Sequence, residues 1–124
     1  MNEFEDGSEE VIGAAIEVHR VFGPGLLESI YQRALARELA LRGVQFQSQA
    51  PVKVEYKGAD LGDDLRLDIV LPGLLVVEIK AVDRIHPIHE AQLLTYLKLT
   101  GVRSGLLINF NVRYLKDGLK RMAN

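Results

Sequence analysis

The chain has 124 residues, 15 Lys+Arg against 17 Asp+Glu for a formal net charge of -2, 48% hydrophobic and 26% charged residues, and no cysteine. That is enough chain for one domain with a real core and too little for a second. The balance excludes a polybasic nucleic-acid binder, and the lack of cysteine excludes disulfides, thiolate metal sites and iron–sulfur clusters, leaving any phosphate-binding surface a local patch. The acidic start MNEFEDGSEE lacks the basic and apolar regions of a signal peptide, and no apolar run approaches the ~18 residues of a membrane span. A cytoplasmic protein of one domain, residues 1–124 with 1–7 as a flexible tail, is the expectation.

Ser8 is a candidate N-cap for a first helix in which Val11, Ala15, Val18 and Phe22 recur at helical spacing, ending at Gly23-Pro24-Gly25. A second helix is predicted from about Leu26 to Arg42, with Leu27, Ile30, Ala34 and Leu41 among its apolar positions and Gly43 as its stop. From Gln45 the period falls to two: Val52, Val54 and Tyr56 alternate with Lys53, Glu55 and Lys57, as in a half-exposed strand. In LRLDIVL the residues Leu65, Leu67, Ile69 and Leu71 take one face and Arg66, Asp68 and Val70 the other. Pro72-Gly73 turns the chain into a return strand, Leu74 to Lys80. Pro87 opens a third helix that stops at Gly101, GLLINF (105–110) is a buried strand, and RYLKDGLKRM reads as either a short helix or an edge strand. The predicted fold class is α/β, a mixed sheet flanked by helices in the order ααβββαβ.

VVEIKAV places Glu78 and Lys80 in an otherwise apolar strand. Residues two apart share a face, about 6.6 Å apart along the strand, so both address one point. Asp68 joins them only if the connection is of odd length or bulged, since a strict two-residue loop would set it opposite Val77. Pro72 cannot adopt the positive φ that a two-residue hairpin needs at its first central position, so a longer or bulged connection, with Asp68 opposite Glu78, is expected. Two carboxylates about 4 Å apart repel by roughly 4 kcal/mol at an effective dielectric of 20, more than one lysine settles in a partly buried site. Mg²⁺ (or Mn²⁺) would settle it, keeping waters and positions for a phosphate oxygen.

Asp68 followed across a hairpin by Glu78-Ile79-Lys80 resembles the D…(D/E)xK core of the PD-(D/E)XK nuclease superfamily. Gln92-Leu-Leu-Thr-Tyr96 is similar to the QxxxY motif of its RecB-like and CRISPR-associated exonuclease branch, and GLLESIY (25–31) to the signature of the small GxxExxY proteins, a resemblance covering about Val11 to Arg121. It implies a restriction-endonuclease-like fold and a metal-dependent nuclease acting on nucleic acid, DNA or RNA. Glu28, Asp68 and Glu78 would be metal ligands and Lys80 the catalytic lysine, with Gln92 and Tyr96 on the substrate phosphate or in support. The cysteine ligands of the iron–sulfur relatives are absent, and Leu67 stands where the motif's Pro would be.

Plainer readings exist for each residue. Glu28 alone fits a capping box with Gly25; Glu78 and Lys80 alone fit a surface ion pair; Tyr96 and, more so, Tyr31 fit core aromatics. His86 reads as a helix-start residue and His89 as an outer neighbour of the site. A chain this small carries no separate recognition domain, so specific cleavage would need grip from a partner, for which a homodimer would serve. The alternative function is a catalytically silent nuclease-fold module that binds protein or nucleic acid.

Overall fold

The computed structural model describes residues 5–124. Helix α1 (Ser8–Phe22) is entered through Gly7, whose left-handed φ of 84° and close approach to the Leu71 side chain admit no Cβ. Ser8 is therefore not the cap. It lies one position inside, where its N–H donates to Asp6 Oδ1 at 2.9 Å and its hydroxyl accepts from Arg121. The expected tail 1–7 divides: residues 1–4 lie outside the described residues, while Asp6 is buried and meets Arg121 at 3.7 Å.

Helix α2 (Glu28–Leu41) runs within two residues of its predicted bounds. Its buried face is Tyr31, Leu35 and Leu39 at spacing four, with Gln32 beside them, whereas Leu27 and Leu41 stay exposed, as does Phe22 at the end of α1. A leucine-rich helix offers several apolar stripes, and packing selects the one that carries the aromatic ring. Tyr31 stacks on Phe110 at 4.6 Å between centroids, while its hydroxyl donates to Gly23 O and accepts from Leu26 N–H. It thereby fastens the loop between the helices to the core.

The expected strand from Gln45 is broken in two. Strand β1 (Gln47–Val52) ends before Lys53, and β2 (Glu55–Tyr56) with β3 (Ala59–Asp60) forms a separate hairpin. The hairpin has a local cause: Lys57 and Gly58 both take positive φ, the requirement of a tight two-residue hairpin turn. Strands β4 (Leu65–Leu71) and β5 (Leu75–Lys80) pair antiparallel, with Leu71 opposite Leu75 and Ile69 opposite Val77. The connection is thus three residues, with Gly73 at φ 74° and Leu74 N–H bonded to Leu71 O, and the ladder ends at Ile69–Val77, one step short of the expected pairing of Asp68 with Glu78.

Helix α3 (Pro87–Thr100) crosses to β6 (Ser104–Asn109), which runs parallel to β5. The C-terminal segment is both of the alternatives: a turn of 3₁₀ helix, Leu115–Gly118, and then edge strand β7 (Leu119–Ala123) against β6. The result is α/β, three helices on a mixed five-stranded sheet in the order β1-β4-β5-β6-β7, consistent with the restriction-endonuclease-like fold. Helices α1 and α2 cover one face through Val11, Ala15, Val18, Leu35 and Leu39 against Ile69, Val77, Ile79, Leu106 and Ile108. Helix α3 covers the other through Leu93 and Leu97 against Val70, Val76 and Leu107. Gly105 lets it lie close, since a Cβ there would come within 3.0 Å of Leu93. No described helix is long and apolar enough to cross a membrane.

Leu67 departs from the strict alternation expected for β4. It packs in the α3 cluster with Ala50, whereas Ile69 and Leu71 pack under α1 and α2. The side-chain alternation therefore slips by one face between Leu67 and Ile69, across Asp68.

Candidate active site

The ladder between β4 and β5 stops at Ile69–Val77, and the strands part where the charged residues begin. Asp68 fills the gap: its Oδ2 accepts the Ile79 N–H at 2.8 Å, in place of a ladder carbonyl. Glu78 is 5% exposed beside it, and its Oε1 is buried without a hydrogen-bond partner. Desolvation pushes the Glu78 carboxyl up to about 8, the Asp68 charge pushes the same way, and Lys80 only partly opposes them. Asp68 is also raised, chiefly by burial, against the Ile79 N–H, the Lys80 charge and the Gln49 amide, which all favour its anion. The paired carboxylates thus share a desolvated corner, which favours holding a proton there, and Glu78 is the member with fewer donors.

Lys80 points to the same corner without being consumed by it. Among the described residues it makes no salt bridge, so the surface ion pair with Glu78 does not form; its Nζ lies 3.5 Å from Gln92 Oε1. Gln92 is on α3 four residues before Tyr96, one turn apart on the same face. Tyr96 is half-buried against the α3 cluster, and burial followed by the Glu78 and Asp68 charges raises its pKa. His89, one turn earlier, accepts the His86 N–H on Nδ1 at 3.0 Å, and burial, then Lys80, keeps its pKa low.

Glu28 arrives from the opposite layer. The α2 N-cap is Leu27 and no side chain caps it, so the Gly25 capping box does not form. Instead Glu28 lines a cavity of about 330 Å³ with Ser29, Gln32, Arg33, Gln49 and Asp68. Burial raises its pKa, the Lys80 charge lowers it, Asp68 raises it, and the Ala81 N–H favours the anion. It therefore shares the field of the other three charges. The structure stops short of a closed ligand set, however: among the described residues no three His, Asp or Glu side chains are gathered for a metal.

Several polar residues that support the site carry no motif. Gln32, buried on α2, donates to Ser48 Oγ at 2.6 Å and to Asp68 O at 3.3 Å. Asn109 accepts the Val82 N–H at 3.1 Å and donates to Val82 O at 2.9 Å, which with Phe110 N–H on Lys80 O pins the chain just beyond Lys80. A buried amide at the end of an apolar strand such as LLIN is the one sequence signal that could have flagged Asn109.

Residues 5–122 match the profile of the PD-(D/E)XK nuclease superfamily, and the chain belongs to that superfamily. No curated protein and no solved structure matches it. Nucleases of this superfamily are usually dependent on a divalent metal. The residues here fit such an ion: two adjoining acids, one with a buried oxygen lacking any partner, are what a small hard cation that keeps most of its waters requires.

Proposed function

We propose that this chain is a divalent-metal-dependent nuclease that hydrolyses phosphodiester bonds in nucleic acid, its single domain spanning residues 1–124. The observation that carries the reading is the orphaned Oε1 of Glu78, buried beside Asp68 with an uncommitted lysine at the mouth. A buried polar atom without a partner costs stability, about 1–3 kcal/mol and more for an ionised group, and a ligand that supplies the missing charge would offset it. Asp68 and Glu78 would hold Mg²⁺ or Mn²⁺, with Glu28 reaching the ion directly or through water. When bound, the ion supplies positive charge to a phosphate oxygen and acidifies water.

The remaining work belongs to the chain's own groups. Lys80 Nζ, held near Gln92 Oε1, orients the attacking water and faces the charge that builds on the phosphate. Gln92 and Tyr96 contact the phosphate from α3. Gly25, Glu28 and Tyr31 support placement in the GxxExxY branch, and Gln92 with Tyr96 a kinship with the RecB-like exonucleases. Tyr31 acts structurally, fastening the loop that delivers Glu28. The test is cleavage of single-stranded DNA, duplex DNA and RNA with Mn²⁺ by wild type and Lys80→Ala. Wild-type cleavage lost in the variant is expected, and a wild type inert on every polymer would overturn the reading. The absence of a gathered three-ligand set among the described residues favours the second reading, a silent module that binds without cutting.

A further inference from the structure

We infer that Gln49 is a further positioning residue of this site, its left-handed backbone and its amide together fixing the Asp68 carboxylate in the gap between the parted strands. The inference rests on the nuclease reading for its purpose and on geometry alone for its content. Two described residues other than glycine have positive φ, Gln49 at 51° and Lys57 at 48°. Lys57 is explained by its place beside Gly58 in a tight hairpin turn. Gln49 has no such excuse. It lies inside β1, with Ser48 paired to Ile69 before it and Ala50 paired to Leu67 after it, and the unpaired position opposite it is Asp68. A non-glycine residue persists in that conformation only where its surroundings over-determine it, and such strain gathers at functional sites.

The consequences of the kink are visible on both strands. Ser48 faces α2, where it accepts from Gln32, whereas Ala50 packs in the α3 cluster although it is two residues on. Leu67 and Ile69, their partners, divide the same way. Asp68 thus leaves the ordinary alternation at the one point where β1 does, which frees its carboxylate to lie in the plane of the sheet and accept the Ile79 N–H. From the other side the Gln49 amide approaches Asp68 Oδ1 at 3.5 Å and forms a wall of the cavity shared with Glu28. One carboxylate oxygen is steered by β5 and the other by β1.

Three variants separate backbone from amide. Gln49→Gly keeps the left-handed backbone and deletes the amide; Gln49→Asn keeps a shorter amide on a residue that tolerates that backbone; Gln49→Val opposes it. The first readout, without metal, is amide hydrogen exchange at Ile79, whose N–H is held by Asp68. At least a tenfold loss of protection at Ile79, with Val77 unchanged, is expected in Gln49→Gly, with partial recovery in Gln49→Asn. The second is the rise in melting temperature on adding MnCl₂, expected to shrink by half or more in Gln49→Gly. Ile79 protection equal to wild type in Gln49→Gly would overturn the inference, whatever the metal does. A wild type whose melting ignores Mn²⁺ while Ile79 protection still depends on Gln49 would overturn the metal reading and leave the positioning role standing.

Discussion

Replacing Glu78 by Gln removes the titrating proton and keeps the shape, which makes it the sharpest probe of the site. In the folded chain burial, then the Asp68 charge, pushes this carboxyl up to about 8 from an ordinary value of 4.5. Between these values the folded state holds a proton that the unfolded chain has released, so stability falls as pH rises from about 4.5 to about 8 and is level on either side. At about 1.36 kcal/mol per pH unit the full difference is on the order of 5 kcal/mol, an upper bound because the coupled Asp68 shares the titration. Over the two units from pH 5.5 to 7.5 the wild type should lose about 2–3 kcal/mol relative to Glu78→Gln.

Urea unfolding of both proteins across that range measures the difference, since titrating groups not coupled to Glu78, His89 among them, cancel in the comparison. A loss of that size corresponds to about 10 °C in melting temperature for a domain of this length. Mn²⁺ should reverse the trend in the wild type, stabilising it more at pH 8 than at pH 6, because binding must displace the Glu78 proton. Parallel stability profiles for wild type and variant between pH 5.5 and 7.5 would refute the reasoning, for then Glu78 is ionised or solvated in the folded state.

Asp68→Asn should abolish the Mn²⁺-dependent rise in melting temperature, read by calorimetry with and without MnCl₂. Lys80→Ala should lower cleavage by at least about 100-fold while leaving urea stability within about 0.5 kcal/mol, since the lysine forms no salt bridge among the described residues. Tyr31→Phe keeps the stack on Phe110 but strands Gly23 O and Leu26 N–H, and should cost about 1–3 kcal/mol in urea unfolding. Gly105→Ala would press a methyl to within 3.0 Å of Leu93 and should cost about 1–3 kcal/mol, shown by a lower melting temperature with Gln92 displaced in the variant's crystal structure.

What the sequence revealed of the site follows from which constraints are local. The longer connection was legible because proline's fixed φ forbids the shortest hairpin, a statement about one residue that the three-residue Pro72-Gly73-Leu74 turn satisfies. Glu78 and Lys80 share a face by the period of a strand, which needs no partner to be known. The buried face of α2 was not legible, because choosing Tyr31, Leu35 and Leu39 over Leu27 and Leu41 depends on Phe110, nearly eighty residues away. The hairpin β2–β3 was signalled by Lys57-Gly58 but hidden inside a longer alternation that fits one straight strand equally well.

Gln49 and the slip at Asp68 were beyond reach for a deeper reason. Period-two reasoning assumes that every residue of a strand is paired, and the site exists because the sheet breaks that rule. An unbroken ladder would hand the Ile79 N–H to a backbone carbonyl and turn Asp68 wholly to one face, away from the plane in which it now meets β5. The two apolar clusters above and below the sheet allow the lapse, since Ile69, Val77 and Ile79 on one side and Val70 and Val76 on the other keep the same strands packed as the hydrogen bonding lets go. The end of the sheet can therefore hold two acids in poor solvation beside a lysine while the middle carries the stability. A residue that breaks the local pattern without gain to the fold is where chemistry is to be sought, and in this chain Asp68, Glu78 and Gln49 all answer that description.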